Sequence, residues 1–353
     1  MSCPPESTDI CNKLEREFVH SGEVIASNLV LNTNIVVEVI YEPLGEDGEK
    51  LGGTTPTLMK FVSPQDQVKR LYPTALLKQL NTGIDFGEDA DIKISINSDV
   101  EDDFWFPGDG DIEPTQVDVS LLSLHEMVHG LGFSSTWEFP PDRETFIIPR
   151  LNGDDDIDED DPITFDGFYE TVFDANLVHL EDPNNPNSAK RITDIAKSLN
   201  GFTPKGTNFP NVATLLDRFE ESNQPNDAKL MLTHATTNQH WHLCLLVLLI
   251  HLYFDTSDQE FIFRTSINHF DQDTFINTAD FLMVPTEEEG VTLQAHLQRT
   301  GNNPGGGIGP KLRSGLKTLG YTVNANPPMG STSTLQKRRF TRRNNQRKSL
   351  IRF

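Results

Sequence analysis

The chain has 353 residues, 36% of them hydrophobic, so it has room for about two domains or one large domain with insertions, and a peptide or wholly disordered class is excluded. Residues 331–353 contain eight basic residues and no acidic one, which leaves residues 1–330 with 21 basic against 53 acidic residues, a net charge of −32. Such an acidic body repels nucleic acid and anionic membranes, so no nucleic-acid partner is expected for it.

Cysteines and apolar runs bear on the compartment and on membrane insertion. Cys3, Cys11 and Cys244 are too few for a disulfide framework, and Cys3 with Cys11 is the only local pairing. The first residues lack an apolar stretch of signal-peptide type, so no export signal is expected in this chain. The longest apolar run, at 243–250, is shorter than the ~20 residues that span a bilayer. We therefore expect a buried segment there and no transmembrane helix.

The first part of the chain predicts a strand and then a helix. Residues 34–41 are rich in Val and Ile, which favours a strand, and the turn formers of 42–53 follow. Ser63 and Pro64 stand where an N-cap and a first helical residue would, ahead of apolar residues at helical spacing. We expect a helix there that Pro73 kinks or splits.

A second strand is predicted at 92–97. Ile92, Ile94 and Ile96 alternate with polar residues, the pattern of a strand buried on one face. We interpret this polarity as that of an edge strand.

The next element is a helix with two histidines. Thr115 and Asp118 predict a capping box that opens it. Its apolar stripe comprises Val117, Leu121, Leu124, Val128 and Leu131. Gly130 and Gly132 then predict the end of the helix and a sharp turn.

Further along, polar loops separate short helices. Seven acidic residues within 154–161 predict a solvated loop; a calcium site is the alternative, but the EF-hand order of ligands is absent. Residues 191–200 predict a helix. The Gly-rich segment 302–310 predicts a turn, and 311–321 a short helix.

The residues with the clearest chemistry are His125, Glu126 and His129. Four residues apart on a helix, the two histidines can present a ring nitrogen each to one metal ion. Zinc suits imidazole ligands, and three protein ligands leave a fourth position for water. Glu126 is placed to reach that water without being a ligand, so we predict that it acts as general base and then as general acid in peptide hydrolysis. The alternative is two ordinary helix histidines.

This segment resembles the active-site helix of metzincin-type zinc peptidases, whose motif is His-Glu-x-x-His-x-x-Gly-x-x-His. His125, Glu126, His129 and Gly132 match the motif, whereas Ser135 occupies its last position. In leishmanolysin-like peptidases the third histidine lies far downstream instead, before an acidic stretch, a Leu-Met pair and a Leu-Gly-aromatic sequence.

Residues 266–285 and 318–321 resemble that downstream arrangement, and uncharacterised fungal and bacterial secreted proteins carry similar segments. The resemblance implies His269 as third zinc ligand and Met283 as the methionine beneath the metal. The polar, Asp-rich segment around His269 could also supply hydrogen-bond acceptors for its ring, such as Asp271.

Other third ligands stay open at the level of the sequence. Glu170 has the spacing to Asp174 seen in gluzincins, and Asp166 is a further candidate. His240, His242 and His251, beside the apolar run, fit no element of such a fold and are poor candidates.

These features predict an α+β, zincin-like catalytic domain at residues 31–330. Its upper lobe, with a mixed sheet and the active-site helix, covers about 31–135, and an irregular lower lobe with the Met-turn covers about 136–330, with the cleft between them. Residues 1–30 form an N-terminal segment, and 331–353 a basic tail that we expect to be disordered.

The predicted function is that of a zinc-dependent endopeptidase. Its partner would be a protein or peptide substrate that pairs with the edge strand expected at 92–97. The alternative is a non-catalytic binding or surface protein with a structural or vestigial zinc site, which a closed fourth ligand would favour. The resemblance implies an extracellular location; the sequence gives no indication of the oligomeric state.

Overall fold

The computed structural model describes residues 1–45, 51–153, 157–180, 189–236, 254, 261–262, 265–328 and 350–353. Several features of the sequence lie outside these residues: the apolar run at 243–250, Cys244, the histidines His240, His242 and His251, and most of the basic tail. The fold is mixed α+β. It divides into two compact units, one formed by Met1–Leu58, Pro73–Phe133 and Gln272–Phe353, the other by Met59–Tyr72 and Ser134–Asp271.

A four-stranded sheet organises the first unit, in the order β14-β1-β5-β2. Its strands are β1 (Val36–Glu42), β2 (Gly52–Pro56), β5 (Ile92–Asn97) and β14 (Ile351–Arg352). β1 runs parallel to β5, while β2 pairs antiparallel with β5 and β14 antiparallel with β1. The strand predicted at 34–41 is thus confirmed as β1.

The prediction that Ile92–Asn97 is an edge strand is wrong, because β5 has a partner on each side. Its three isoleucines are fully buried, as the alternation indicated. The polar residues have another explanation: Lys93 faces solvent, and the Ser95 hydroxyl donates to a Glu42 carboxylate oxygen at 2.6 Å. Alternation reports which face of a strand is buried and not whether its hydrogen-bonding edges are occupied. In the described part of the chain, β2 and β14 are the outer strands.

The helices of the first unit begin with one that the sequence analysis did not predict. They are α1 (Thr8–Asn28), α2 (Thr74–Leu77), α3 (Val119–Gly130), α7 (Gln272–Phe275), α8 (Leu293–Arg299) and α9 (Pro310–Leu319). α1 packs on α3, with a Ser21–Ser123 hydroxyl contact of 2.7 Å. Residues 1–30 are therefore part of this unit, and a Cys3–Cys11 disulfide closes the start of α1.

α3 is buried on every side, with all twelve of its residues inaccessible or nearly so. It starts later than predicted: Asp118 is itself the N-cap, its carboxylate accepting from Ser120 N at 2.8 Å, and Thr115 is not part of a capping box. The helix ends at Gly130, where a Cβ would lie 2.3 Å from Ile92 Cγ2. Gly132 has φ 100°, and a Cβ there would lie 2.4 Å from Pro73 Cγ. Both glycines are required by close packing, and the second also by its backbone conformation.

The C-terminal residues complete the first unit. The predicted helix at 311–321 is confirmed as α9. Earlier in the chain, the two-residue strands β6 (Phe104–Trp105) and β7 (Val117–Asp118) pair in parallel before α3. The prediction of a disordered tail is wrong for its last residues, because β14 pairs with β1 and Phe353 is buried against Gly22.

The second unit consists of small antiparallel ladders and helices. Its strands are β3 (Leu58–Val62), β4 (Lys69–Pro73), β8 (Arg150–Leu151), β9 (Ile163–Thr164), β10 (Phe168–Tyr169), β11 (Val178–Leu180), β12 (Ala189–Arg191) and β13 (Asn208–Phe209). Its helices are α4 (Ile192–Leu199), as predicted, α5 (Val212–Glu220) and α6 (Pro225–Thr236). Phenylalanine rings with centroids 4.8–5.9 Å apart form much of its core: Phe165, Phe168, Phe202 and Phe219.

The helix predicted after Ser63 is wrong in its first half. Residues 69–73 form β4, which pairs with β3, and only Thr74–Leu77 is helical. Ser63 does not cap a helix but starts the hairpin turn, where its N–H donates to Val68 O at 2.9 Å. Pairing with a neighbouring strand has overridden the helical spacing.

No helix within the described ranges combines the length and apolar character needed to cross a bilayer.

Candidate metal centre

Two histidines of α3 face each other one helical turn apart. The Nε2 atoms of His125 and His129 are 3.0 Å apart, and their ring centroids 4.7 Å apart. Both residues are at most 9% exposed. The i, i+4 spacing thus places both nitrogens at one point beside the helix, as the sequence predicts.

His269 joins this pair. The candidate ligand atoms of His125, His129 and His269 all lie within 4.8 Å of one another, and this is the one group of three or more potential metal ligands that the described residues contain. Asn268, directly before His269, accepts a hydrogen bond from the Ser135 backbone N–H. This hydrogen bond ties Ser135 to the residue directly before His269.

Backbone carbonyl groups orient all three rings. His125 Nδ1 lies 2.7 Å from Leu282 O and His129 Nδ1 2.8 Å from Phe133 O. His269 Nδ1 lies 3.0 Å from Thr265 O. A carbonyl oxygen only accepts hydrogen bonds, so each Nδ1 carries the proton, and Nε2 is the ring nitrogen that could bind a metal.

The arrangement fits a zinc ion. The Nε2 atoms of His125 and His129 are 3.0 Å apart, a separation that a cation bound by both nitrogens would explain. Two nitrogens bound to one tetrahedral zinc at about 2.0–2.1 Å would be about 3.3 Å apart, close to the separation observed. Three neutral imidazoles are also a donor set that zinc prefers.

The predicted Met-turn is a buried 3₁₀ turn, Phe281–Met283. Met283 is fully buried, and the preceding residue, Leu282, supplies the carbonyl that orients His125. On the other side of the turn, Phe281 stacks on His296 with ring centroids 4.7 Å apart. The turn therefore positions one of the three histidines through its backbone.

Glu126 lies between the two helix histidines in sequence and is 7% exposed. Its Oε2 accepts a hydrogen bond from the Thr54 hydroxyl at 2.7 Å, and its backbone carbonyl accepts from the same hydroxyl at 2.9 Å. Thr54 belongs to β2, the outer strand. No local pattern in the sequence points to Thr54, because only the pairing of β2 with β5 brings this residue to α3.

A second carboxyl group near Glu126 was also missed. Glu287 is half-buried as a whole, but both of its carboxyl oxygens are buried without a hydrogen-bond partner. Burial raises the pKa of Glu287 well above its usual value, and the charges of Glu126 and Asp118 raise it further. In sequence, Glu287 belongs to an acidic run, 287–289, that looks like a solvated loop.

The alternative third ligands are held by other partners. Glu170 forms a buried ion pair with Arg70, with 2.7 Å between Oε1 and Nε, and accepts from Thr193 at 2.6 Å. Asp166 accepts from the Tyr169 hydroxyl at 2.5 Å and pairs with Lys60 at 3.3 Å. The structure groups neither carboxylate with His125 and His129.

Comparison with known proteins places the chain in a family. A family model described as SPBPB7E8-like matches residues 1–342. The chain belongs to the SPBPB7E8-like family. It is 26% identical over 349 residues to an uncharacterised protein of Schizosaccharomyces pombe, PB7E8.01, an alignment that covers 86% of this chain and 58% of that relative. The chain thus spans less than two thirds of the relative's length. No solved structure matches it significantly.

Proposed function

We propose that the chain is a zinc-dependent endopeptidase, with His125, His129 and His269 holding the metal. The observation that carries this proposal is the set of three imidazoles whose ligand atoms lie within 4.8 Å of one another. Each ring has its Nδ1 atom hydrogen-bonded to a backbone carbonyl group. Glu126 lies on the helix that carries two of these histidines. The resemblance of the helix and of the Met283 turn to zincin-type metzincins supports the same reaction class.

Zinc, when bound, supplies Lewis-acid chemistry that polarises a carbonyl and makes a water more acidic. The chain's own contribution is the proton transfer. Glu126 accepts the proton from the attacking water and delivers it to the leaving amine. The Thr54 hydroxyl donates to Oε2 of this carboxylate, which leaves Oε1 as the proposed proton acceptor.

The substrate would bind in extended form along β2. In the described part of the chain β2 is an outer strand, and its residue Thr54 contacts Glu126, so a peptide paired with the outer edge of β2 would run past the proposed base. This replaces Ile92–Asn97, whose two edges are both occupied.

An oxidising compartment is part of the proposal. The Cys3–Cys11 disulfide is of a kind that persists outside the reducing cytosol, which supports an extracellular location.

The test combines metal analysis with cleavage of an unstructured protein such as casein. The purified protein should contain about one zinc per chain, and a chelator should abolish cleavage. Glu126→Gln should keep the zinc and lose several orders of magnitude in kcat, because the proton acceptor is gone. His129→Ala should lose both zinc and cleavage.

The two variants separate the outcomes. Near-normal cleavage by Glu126→Gln would refute the mechanism. Bound zinc in a wild-type chain that cleaves nothing would favour a non-catalytic protein with a structural or vestigial site.

A further inference from the structure

Strand β2 approaches the metal-site helix closely enough for a side chain to reach Glu126. β2 pairs antiparallel with β5, with Thr54 opposite Ile94. Gly52 and Thr54, two residues apart, share the face towards α3, where a Cβ on Gly52 would lie 3.9 Å from Leu122 Cδ1. A Cβ at Gly52 would also lie 3.0 Å from Ser95 O, so the glycine allows β2 to lie close to β5. The first longer side chain on this face is that of Thr54.

The Thr54 hydroxyl has one proton and two acceptors on the same residue. Glu126 Oε2 is 2.7 Å away and Glu126 O 2.9 Å away. The carboxylate is the shorter and charged acceptor, and a hydrogen bond to a charged group is about twice as strong as a neutral one. A glutamate side chain has three rotatable bonds, and this contact selects one of their combinations.

We infer that Thr54 is a positioning residue that fixes the Glu126 carboxylate for proton transfer. This deepens the proposed function and rests on it. The hydroxyl contacts Glu126, so it acts through that carboxylate: it engages Oε2 and leaves Oε1 as the proposed proton acceptor. Because Thr54 lies on the strand proposed to bind substrate, it also links substrate docking to the base.

Three variants isolate the hydroxyl group. Thr54→Val keeps the branched shape and removes the donor, whereas Thr54→Ser keeps the donor. The matched control is Thr57→Val, since the Thr57 hydroxyl also makes a 2.7 Å hydrogen bond, but to Ala90 O and away from Glu126. All three are measured for zinc content, kcat and KM on casein.

Thr54→Val should retain zinc and lose about 10- to 100-fold in kcat with little change in KM, as expected for a misplaced catalytic group. Thr54→Ser should recover to within a few-fold of wild type, and Thr57→Val should keep its kcat. A Thr54→Val protein with wild-type kcat would overturn the inference, and so would a Thr54→Ser protein as slow as Thr54→Val.

A second measurement does not depend on activity. Urea unfolding of the metal-free protein with Thr54→Val, Glu126→Ala and both together gives the coupling between the two side chains. The effect of Thr54→Val on the unfolding equilibrium should be about tenfold smaller when Glu126 is already alanine. Additive effects would overturn the contact itself. Coupling in a wild-type chain that cleaves nothing would instead mean that the contact exists and the proposed function fails.

Discussion

Replacing His269 by alanine tests the ligand set most directly. The change removes one of the three imidazoles and leaves the His125–His129 pair, with Nε2 atoms 3.0 Å apart, on α3. Two imidazoles from one helical turn define only one edge of a tetrahedron, so they hold zinc weakly. His20→Ala is the matched control, because the His20 side chain is 43% exposed and is not part of the cluster.

The expected effect is large enough to measure by unfolding. Loss of a residue that only hydrogen-bonds a ligand already costs about 10- to 100-fold in metal affinity, so we expect about 1,000-fold for a ligand itself. At free zinc 1,000 times the wild-type Kd, zinc stabilises the wild type by about 4.1 kcal/mol. At the same free zinc, the variant would gain only about 0.4 kcal/mol.

The assay is urea unfolding in a zinc buffer and in chelator. Without metal, His269→Ala should lose about 1 kcal/mol, since the ring's hydrogen bond to Thr265 O disappears. His20→Ala should keep the full zinc-dependent gain. If His269→Ala also keeps it, His269 is not a ligand and the leishmanolysin-like ligand set is refuted.

Two further predictions concern packing and buried charge. Gly130→Ala should destabilise the fold by about 1–3 kcal/mol in urea unfolding, because the new Cβ would lie 2.3 Å from Ile92 Cγ2. This clash outweighs the higher helix propensity of alanine, and a gain in stability would contradict the packing. The raised pKa of Glu287 means that its contribution to stability is full below the pKa of an exposed glutamate and is lost as pH rises through the folded-state pKa. Glu287→Gln should therefore gain stability relative to wild type as the pH rises above the pKa of an exposed glutamate, and equal pH dependence of the two proteins would refute this.

The parts of the fold that were predictable are those that local spacing determines. The strand β1 and the helices α4 and α9 have periodic apolar residues, and each is found near its predicted position. α1 carried the same signal, since Ile10, Leu14 and Phe18 are buried at four-residue spacing. This helix was therefore predictable from the sequence.

The wrong predictions concern residues whose structure depends on pairing with another strand. Residues 69–73 became a strand because β3 lies beside them, and Ile92–Asn97 is central because β2 covers its second edge. β2 itself, with the sequence GGTTP, has no apolar alternation and looked like the end of a turn. Thr54 and its contact with Glu126 could not be predicted for the same reason.

In the metal centre, the residues that could bind a metal were predictable, whereas the backbone groups that orient them were not. His125 and His129 were predictable because their geometry is that of one helical turn. The groups that orient the rings were not, because they are backbone carbonyls, which every residue has. For His269 this group is the carbonyl of Thr265, four residues earlier, which lies 3.0 Å from Nδ1. Ring orientation here depends on the conformation of the turns rather than on the side chains in them, so an acceptor sought as a residue type will be missed.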